Sequence, residues 1–97
     1  MTTCHYVRTI MTIMQDVKKY FQLTIAKVVK NCRKKSITKS ADEIGMGKSM
    51  WADLENGKKD PQFSTLWRIA EGLDIKPSKL VEMIEHELGE NFSFLES

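Results

Sequence analysis

Glycine and proline residues in the second half are the feature that most constrains the fold of this chain. They separate short segments in which apolar residues recur every three or four positions. That spacing predicts short α-helices, and no segment alternates apolar and polar residues for long enough to predict a strand. The separating residues are Gly45, Gly47, Gly57, Pro61, Gly72 and Pro77. The sequence therefore predicts an all-α fold of short helices joined by tight turns.

Five helices are predicted between residues 23 and 88. They run over about residues 23–35, 36–44, 48–56, 63–71 and 77–88. Gly45 can supply the left-handed turn that ends the second helix. Pro77 can open the fifth, because its missing N–H would have no partner in the first turn.

The two ends of the chain are predicted to add to this domain. Helical apolar spacing continues back through residues 1–22, which predicts a helical extension that can merge with the next helix. A short strand over residues 9–14 is the alternative, because β-branched residues are dense there. The tail, residues 89–97, keeps Phe92, Phe94 and Leu95, so we expect it to pack on the body or on a second subunit as a dimer contact.

Length and composition exclude several classes of protein. The 97 residues suffice for one domain, and no apolar run approaches the ~20 residues of a membrane-spanning helix. The N-terminal stretch lacks the layout of a secretory signal, so we expect a cytoplasmic protein. Cys4 and Cys32 form neither a disulfide framework nor a zinc pattern. No catalytic triad, phosphate-cradling loop or convincing carboxylate pair is found, so we expect no enzyme, metal or cofactor.

The charge is distributed unevenly along the chain. Residues 25–60 carry nine basic and five acidic residues, whereas residues 61–97 carry three basic and seven acidic ones. A basic middle beside an acidic end indicates one face for a polyanion and another for a different contact.

The stretch from residue 41 to residue 55 has the properties of two short helices crossing at a steep angle. Ala41 is small enough for a close crossing, and Gly45 tolerates the turn. Apolar residues fall at the inward positions Ile44, Met46, Trp51 and Leu54. The outward face of the second helix begins with polar residues, and lysines follow it. Such a helix can enter the major groove of DNA, where its first residues meet base edges and flanking lysines hold phosphates.

With the segments that follow it, this stretch resembles the Cro/CI-type helix–turn–helix family, also called lambda-repressor-like or XRE. The family pattern A-x-x-h-G-h, then h-E-x-G-x-x-x-P, then L-x-x-I-A-x-x-L-x-h is met without a gap from Ala41 to Leu80, and more loosely over residues 25–40. The resemblance implies a five-helix lambda-repressor-like DNA-binding domain over residues 23–88 with an N-terminal helical extension. It also implies sequence-specific binding of double-stranded DNA by a homodimeric transcriptional repressor or regulator.

The resemblance also implies roles for individual residues. The base-reading positions are matched by Lys48, Ser49, Met50 and Asp53. Phosphate contacts are expected from Lys39, Asn56, Lys58 and Lys59. Trp51 is expected in the core, and Glu55 is expected to be a structural carboxylate tied to a cation.

Three positions depart from the family pattern or leave a choice open. Ser40 stands where the family usually has Leu. The usual Gln at the start of the first motif helix is replaced by Ile37, or by Lys39 if the preceding connection is shorter. The cation beside Glu55 is Arg33 or Lys30. Ser40, Ile37 and the acidic Asp53 on the groove face support an alternative function, a protein-interaction module of the same fold that resembles an antitoxin or an anti-regulator.

Overall fold

Five α-helices make up the computed structural model, which describes the backbone of residues 2–95 and the side chains of residues 16–95. The helices are α1 (Thr2–Cys32), α2 (Ile37–Glu43), α3 (Lys48–Glu55), α4 (Phe63–Gly72) and α5 (Pro77–Leu88). The described part of the chain contains no strand. The predicted all-α fold is therefore confirmed.

Helix α1 is one continuous helix that includes the predicted extension. No glycine or proline precedes Gly45 in the sequence, so no helix-breaking residue interrupts α1. The alternative of a strand over residues 9–14 is wrong. Helix α1 ends at Cys32 rather than near Lys35, because Ser36 already has the extended backbone of the next N-cap, with φ −62° and ψ 157°.

A single hydrophobic core joins all five helices. Its buried members are Ile25, Val28, Val29, Ala41, Met46, Trp51, Leu54, Ile69, Ala70, Leu80 and Ile84. Trp51 is fully buried, as the sequence predicted. Helix α3 packs against α1 and α2, whereas the acidic helix α5 packs against α1 and α4. Helices α3 and α5 therefore contact different neighbours apart from α1.

The C-terminal tail folds back onto helix α1. The ring of Phe92 lies 5.9 Å from those of Tyr20 and Phe21, and the ring of Phe94 lies 5.2 Å from that of Phe21. Phe94 remains half exposed, and Leu95 is 94% exposed. Of the two packing partners predicted for the tail, the body of the domain is therefore the one that the structure shows. In the part of the chain that the structure describes, no helix is both long and apolar enough to cross a membrane.

Candidate nucleic-acid interface

The turn between α2 and α3 is fixed by backbone hydrogen bonds. Gly45 has φ +65°, and its N–H donates to the carbonyl of Asp42 at 3.2 Å. The N–H of Met46 donates to the carbonyl of Ala41 at 2.9 Å. This pair of bonds is the Schellman motif, and the two residues that the motif usually brings together, Ala41 and Met46, are both buried in the core. The chain leaves α2 in one defined direction, which sets where α3 begins.

Helix α4 holds this turn from outside. The guanidinium of Arg68 donates to the carbonyl of Ile44 at 2.5 Å and to the carbonyl of Gly45 at 3.4 Å. Gly72 allows α4 to approach the turn, because a Cβ there would lie 2.5 Å from the Cγ2 atom of Ile44. Sequence reasoning missed Arg68, since an exposed arginine 24 positions from its partner leaves no local signal.

A charged network anchors the far end of α3. Glu55 is 5% exposed, and its carboxylate accepts hydrogen bonds from the Nε of Arg33 at 2.6 Å and from the Nη2 of Arg33 at 3.2 Å. The indole N–H of Trp51 donates to the same carboxylate. Arg33 also donates to the carbonyl of Lys35 at 2.6 Å. The cation beside Glu55 is therefore Arg33 and not Lys30, and the network joins α3 to the end of α1.

The start of α2 decides the other open alternative. Ser36 is the N-cap, and its hydroxyl accepts a hydrogen bond from the N–H of Lys39 at 3.2 Å. Ile37 is the first helical residue, and its half-buried side chain packs against the core. Lys39 lies two residues further along and is exposed. Ile37 is therefore the residue at the start of α2, where the family usually has Gln, and its side chain packs against the core, whereas the following Thr38 and Lys39 are exposed. Ser40, at the family's usual Leu position, is buried.

The predicted base-reading residues lie together on α3. Lys48, Ser49 and Met50 form its first turn, and all three are exposed. Met50 is 51% exposed. Asp53 is half buried one turn further on. Trp51 and Leu54 occupy the opposite side of the helix, in the core.

Backbone donors add to this exposed turn. Gly47 is the N-cap of α3 and provides no side-chain hydrogen bond. The first N–H that donates back along the chain is that of Trp51, to the carbonyl of Gly47 at 3.1 Å. The N–H groups of residues 48–50 precede it, and N–H groups at the start of a helix lack intrahelical acceptors and favour anions.

The predicted phosphate-contact residues lie on α2 and in the segment that follows α3. Asn56 caps the end of the helix and is exposed. Lys39 on α2, and Lys58 and Lys59 after α3, are also exposed. Among the side chains that the structure describes, neither these three lysines nor Lys48 takes part in an ion pair. Four exposed lysines on α2, on α3 and just after α3 are therefore free of ion pairs within the described structure.

Other residues that the sequence singled out lie away from this face or carry no site. His86 is an exposed residue of α5, and Cys32 is a half-buried free thiol. Trp67 is 48% exposed, and its ring lies 6.2 Å from that of Phe63. The side chains of Cys4 and His5 lie outside the described residues. Within residues 16–95, no group of His, Cys, Asp and Glu residues could hold a metal ion.

Comparison with known proteins places the chain in a family. A family model described as "Helix-turn-helix" (HTH_3) matches residues 29–80, which is more than half of the chain. The chain belongs to this XRE-type helix-turn-helix family of DNA-binding transcription regulators, which is not a class of enzymes.

Two relatives extend the comparison. The HTH-type transcriptional regulator SutR of Escherichia coli (strain K12) is 28% identical over 68 residues, which cover 70% of this chain and 38% of the regulator. The crystal structure of an HTH_3 family transcriptional regulator from Vibrio cholerae superposes with a TM-score of 0.62 at 34% identity, over 67% of this chain and 38% of that chain. The chain therefore spans about two fifths of the length of each relative.

Proposed function

We propose that this protein is a cytoplasmic transcriptional repressor that binds a palindromic DNA site as a homodimer, with helix α3 in the major groove. The observation that carries the proposal is the exposed first turn of α3, which contains Lys48 and is accompanied by the exposed Lys39 on α2 and Lys58 and Lys59 after α3. None of the four lysines forms an ion pair in the described structure. Membership of a family of DNA-binding regulators supports the same function.

Each residue on this face has a chemistry suited to its role. Lys48 can donate to the O6 and N7 atoms of guanine, and the hydroxyl of Ser49 can pair with several base edges. Met50 can contact the methyl group of thymine. Asp53 can accept a hydrogen bond from the N4 group of cytosine, and its half-buried position limits its approach to phosphate. Lys39, Lys58 and Lys59 can neutralise phosphates, while Asn56 can donate to one.

The test begins with selection of bound fragments from a random duplex pool, followed by sequencing. A palindromic consensus is expected, with half-sites about one helical turn, ~34–36 Å, apart. Binding to the selected site should weaken steeply as salt rises, since each lysine–phosphate contact adds about 0.9 to the salt slope. Binding that is absent at low salt would refute the proposal.

Two variants separate base reading from phosphate contact. Lys48→Ala should lose about 1–3 kcal/mol of preference at one base position and relax the consensus there. Lys58→Ala should weaken binding to all sequences about equally and lower the salt slope by about one unit. Lys79→Ala is the matched control, because Lys79 is an exposed lysine of α5 that is 3.7 Å from Glu82. If the control changes DNA affinity as much as Lys48→Ala does, the groove assignment is wrong.

A protein-interaction module is the second candidate function. The exposed aromatic pair Phe63 and Trp67 on α4 favours it, because exposed aromatic residues are typical of protein interfaces. A module of this kind would bind random duplex weakly and with little dependence on salt.

A further inference from the structure

Helix α1 is longer than the body it packs on. Its 31 residues make a rod about 46 Å long. The radius of gyration is 15.7 Å, whereas a compact chain of this length has about 12–13 Å. The principal extents of 53 × 28 × 19 Å describe the same elongation. The N-terminal half of α1 therefore extends beyond the five-helix core.

The sequence of this half divides into two faces at helical register. We number residues 4–17 as heptads, with residues 7 and 14 at position a. All the apolar residues of the segment then fall at positions a, d, e and g, and all the polar residues fall at b, c and f. The apolar members are Cys4, Tyr6, Val7, Ile10, Met11, Ile13, Met14 and Val17. The polar members are His5, Arg8, Thr9, Thr12, Gln15 and Asp16. A face with this repeat is typical of a helix that packs against other helices.

The same heptad register continues into the body of the domain, where other parts of the chain cover the apolar face. Thr24 at d and Val28 at a are buried. Phe21 at a is half buried beneath the rings of Phe92 and Phe94. Toward the N-terminus the face continues past Val17, which is half buried, onto the extension.

We propose that residues 4–17 of α1 pair in parallel with the same residues of a second copy, and that this pairing forms the homodimer. The inference rests on the proposed homodimer, but it does not depend on DNA binding. A heptad repeat selects a helical partner, and identical segments satisfy each other about a two-fold axis.

The interface would have adequate area. Fully burying one aliphatic side chain removes about 60–120 Å² from water, so eight apolar residues provide roughly 500–1,000 Å² per copy. A stable interface uses about 800 Å² per partner. The apolar face covers four of the seven heptad positions, so it is wider than the seam of a and d positions in a two-stranded coiled coil.

Charge favours a second copy over a lipid surface. Interfacial membrane helices carry a polar face rich in lysine and arginine. Residues 4–17 contain one arginine, Arg8, and one carboxylate, Asp16. A polar face with so little net charge neither attracts anionic lipid nor repels an identical helix.

The parallel direction follows from the position of the body. Helix α1 joins the core near residues 25–29, about 23 Å along the axis from the middle of the 4–17 segment. An antiparallel pair would place the two cores roughly 45–50 Å apart at opposite ends. A parallel pair places them side by side, which suits two recognition helices about 34–36 Å apart.

Cysteine cross-linking in the full chain tests the direction. In a parallel pair, each residue at position d lies beside the same residue of the second copy. Val17→Cys, in a Cys4→Ser, Cys32→Ser background, therefore places two thiols next to each other. We expect a covalent dimer after mild oxidation. Asp16→Cys, one residue away on the polar face, is the matched control and should remain monomeric on a non-reducing gel. Equal cross-linking of the two variants, or none with Val17→Cys, would overturn the proposal.

Sedimentation equilibrium tests the seam itself. Met14→Lys should raise the dimer dissociation constant by roughly 10- to 100-fold, because it buries an unpaired charge in the seam. Gln15→Lys should leave it unchanged, and circular dichroism should show both variants folded. A wild-type chain that is monomeric, or a dimer unaffected by Met14→Lys, would overturn the inference. So would a monomer that sediments with phosphatidylserine vesicles and loses this binding in Met14→Lys.

DNA binding is measured separately so that the two proposals can fail independently. The Met14→Lys protein should bind an isolated half-site as the wild type does, while it loses affinity for the full palindrome. A Met14-dependent dimer without affinity for any duplex would refute the proposed function and support the seam.

Discussion

Replacing Arg33 by Met tests the network that anchors α3. Glu55 is 5% exposed, and Arg33 is 21% exposed. Arg33→Met leaves the buried carboxylate with the N–H of Trp51 as its remaining side-chain donor in the described structure. Removing one partner of a buried ion pair costs about 3–5 kcal/mol. Because the guanidinium is partly exposed, we expect a loss at the lower end, about 3 kcal/mol in the free energy of unfolding.

Thermal and urea unfolding followed by circular dichroism measure this loss. In a domain of this size, about 3 kcal/mol lowers the Tm by roughly 12–24 °C. Lys27→Met, on α1, is the matched control, because the side chains of the Lys27–Glu87 pair are 61% and 40% exposed and should contribute below about 1 kcal/mol. Adding Glu55→Gln to Arg33→Met should recover stability, since it removes the unpaired charge and keeps an acceptor for Trp51. Equal losses for Arg33→Met and Lys27→Met would refute the reasoning.

Three further changes test the turn, the helix crossing and the tail, all by urea unfolding. Gly45→Ala should cost about 1–3 kcal/mol because φ is +65° there, whereas Gly47→Ser, at an N-cap with φ −67°, should cost nothing. A Gly45→Ala protein as stable as the wild type would contradict this. Ala41→Leu should cost about 1–3 kcal/mol by overpacking a fully buried position, and an unchanged urea midpoint would show that the crossing is loose. Phe92→Ala should destabilise by about 1–3 kcal/mol through lost contacts with α1, whereas Leu95→Ala, at a 94% exposed residue, should have no effect. Similar effects of the two tail variants would contradict the packing described.

The sequence predicted the short helices well because their ends are chemically marked. Gly45 adopts the expected left-handed backbone, and Pro77 lies at the start of α5. The end of α1 was less predictable. Residues 33–35 are all good helix formers, and the helix ends before them because Ser36 must take the extended backbone of an N-cap. Propensity along one segment does not reveal that requirement.

The parts of the candidate site that depend on neighbouring residues in the sequence were predicted, whereas the contacts between residues distant in the sequence were not. The exposed turn of Lys48, Ser49 and Met50 follows from helical periodicity alone, because the residues opposite it are apolar. The cation beside Glu55 could not be chosen from the sequence, since both Arg33 and Lys30 lie near the end of α1. Their positions relative to Glu55 depend on the length of a connection that only the folded chain fixes. Arg68 was missed for the same reason.

The two sides of α3 are engaged in different ways. Its position is set by the turn after α2, by the Arg68 contacts and by the Arg33–Glu55–Trp51 network, all of which act on the backbone of the turn or on the buried side of the helix. None of these contacts uses the side chains of its exposed first turn. Substitutions in that turn should therefore change the free energy of unfolding by less than about 0.5 kcal/mol. The variants of that turn can therefore be compared in DNA-binding assays without loss of the fold, so a change in their affinity would report on the turn itself.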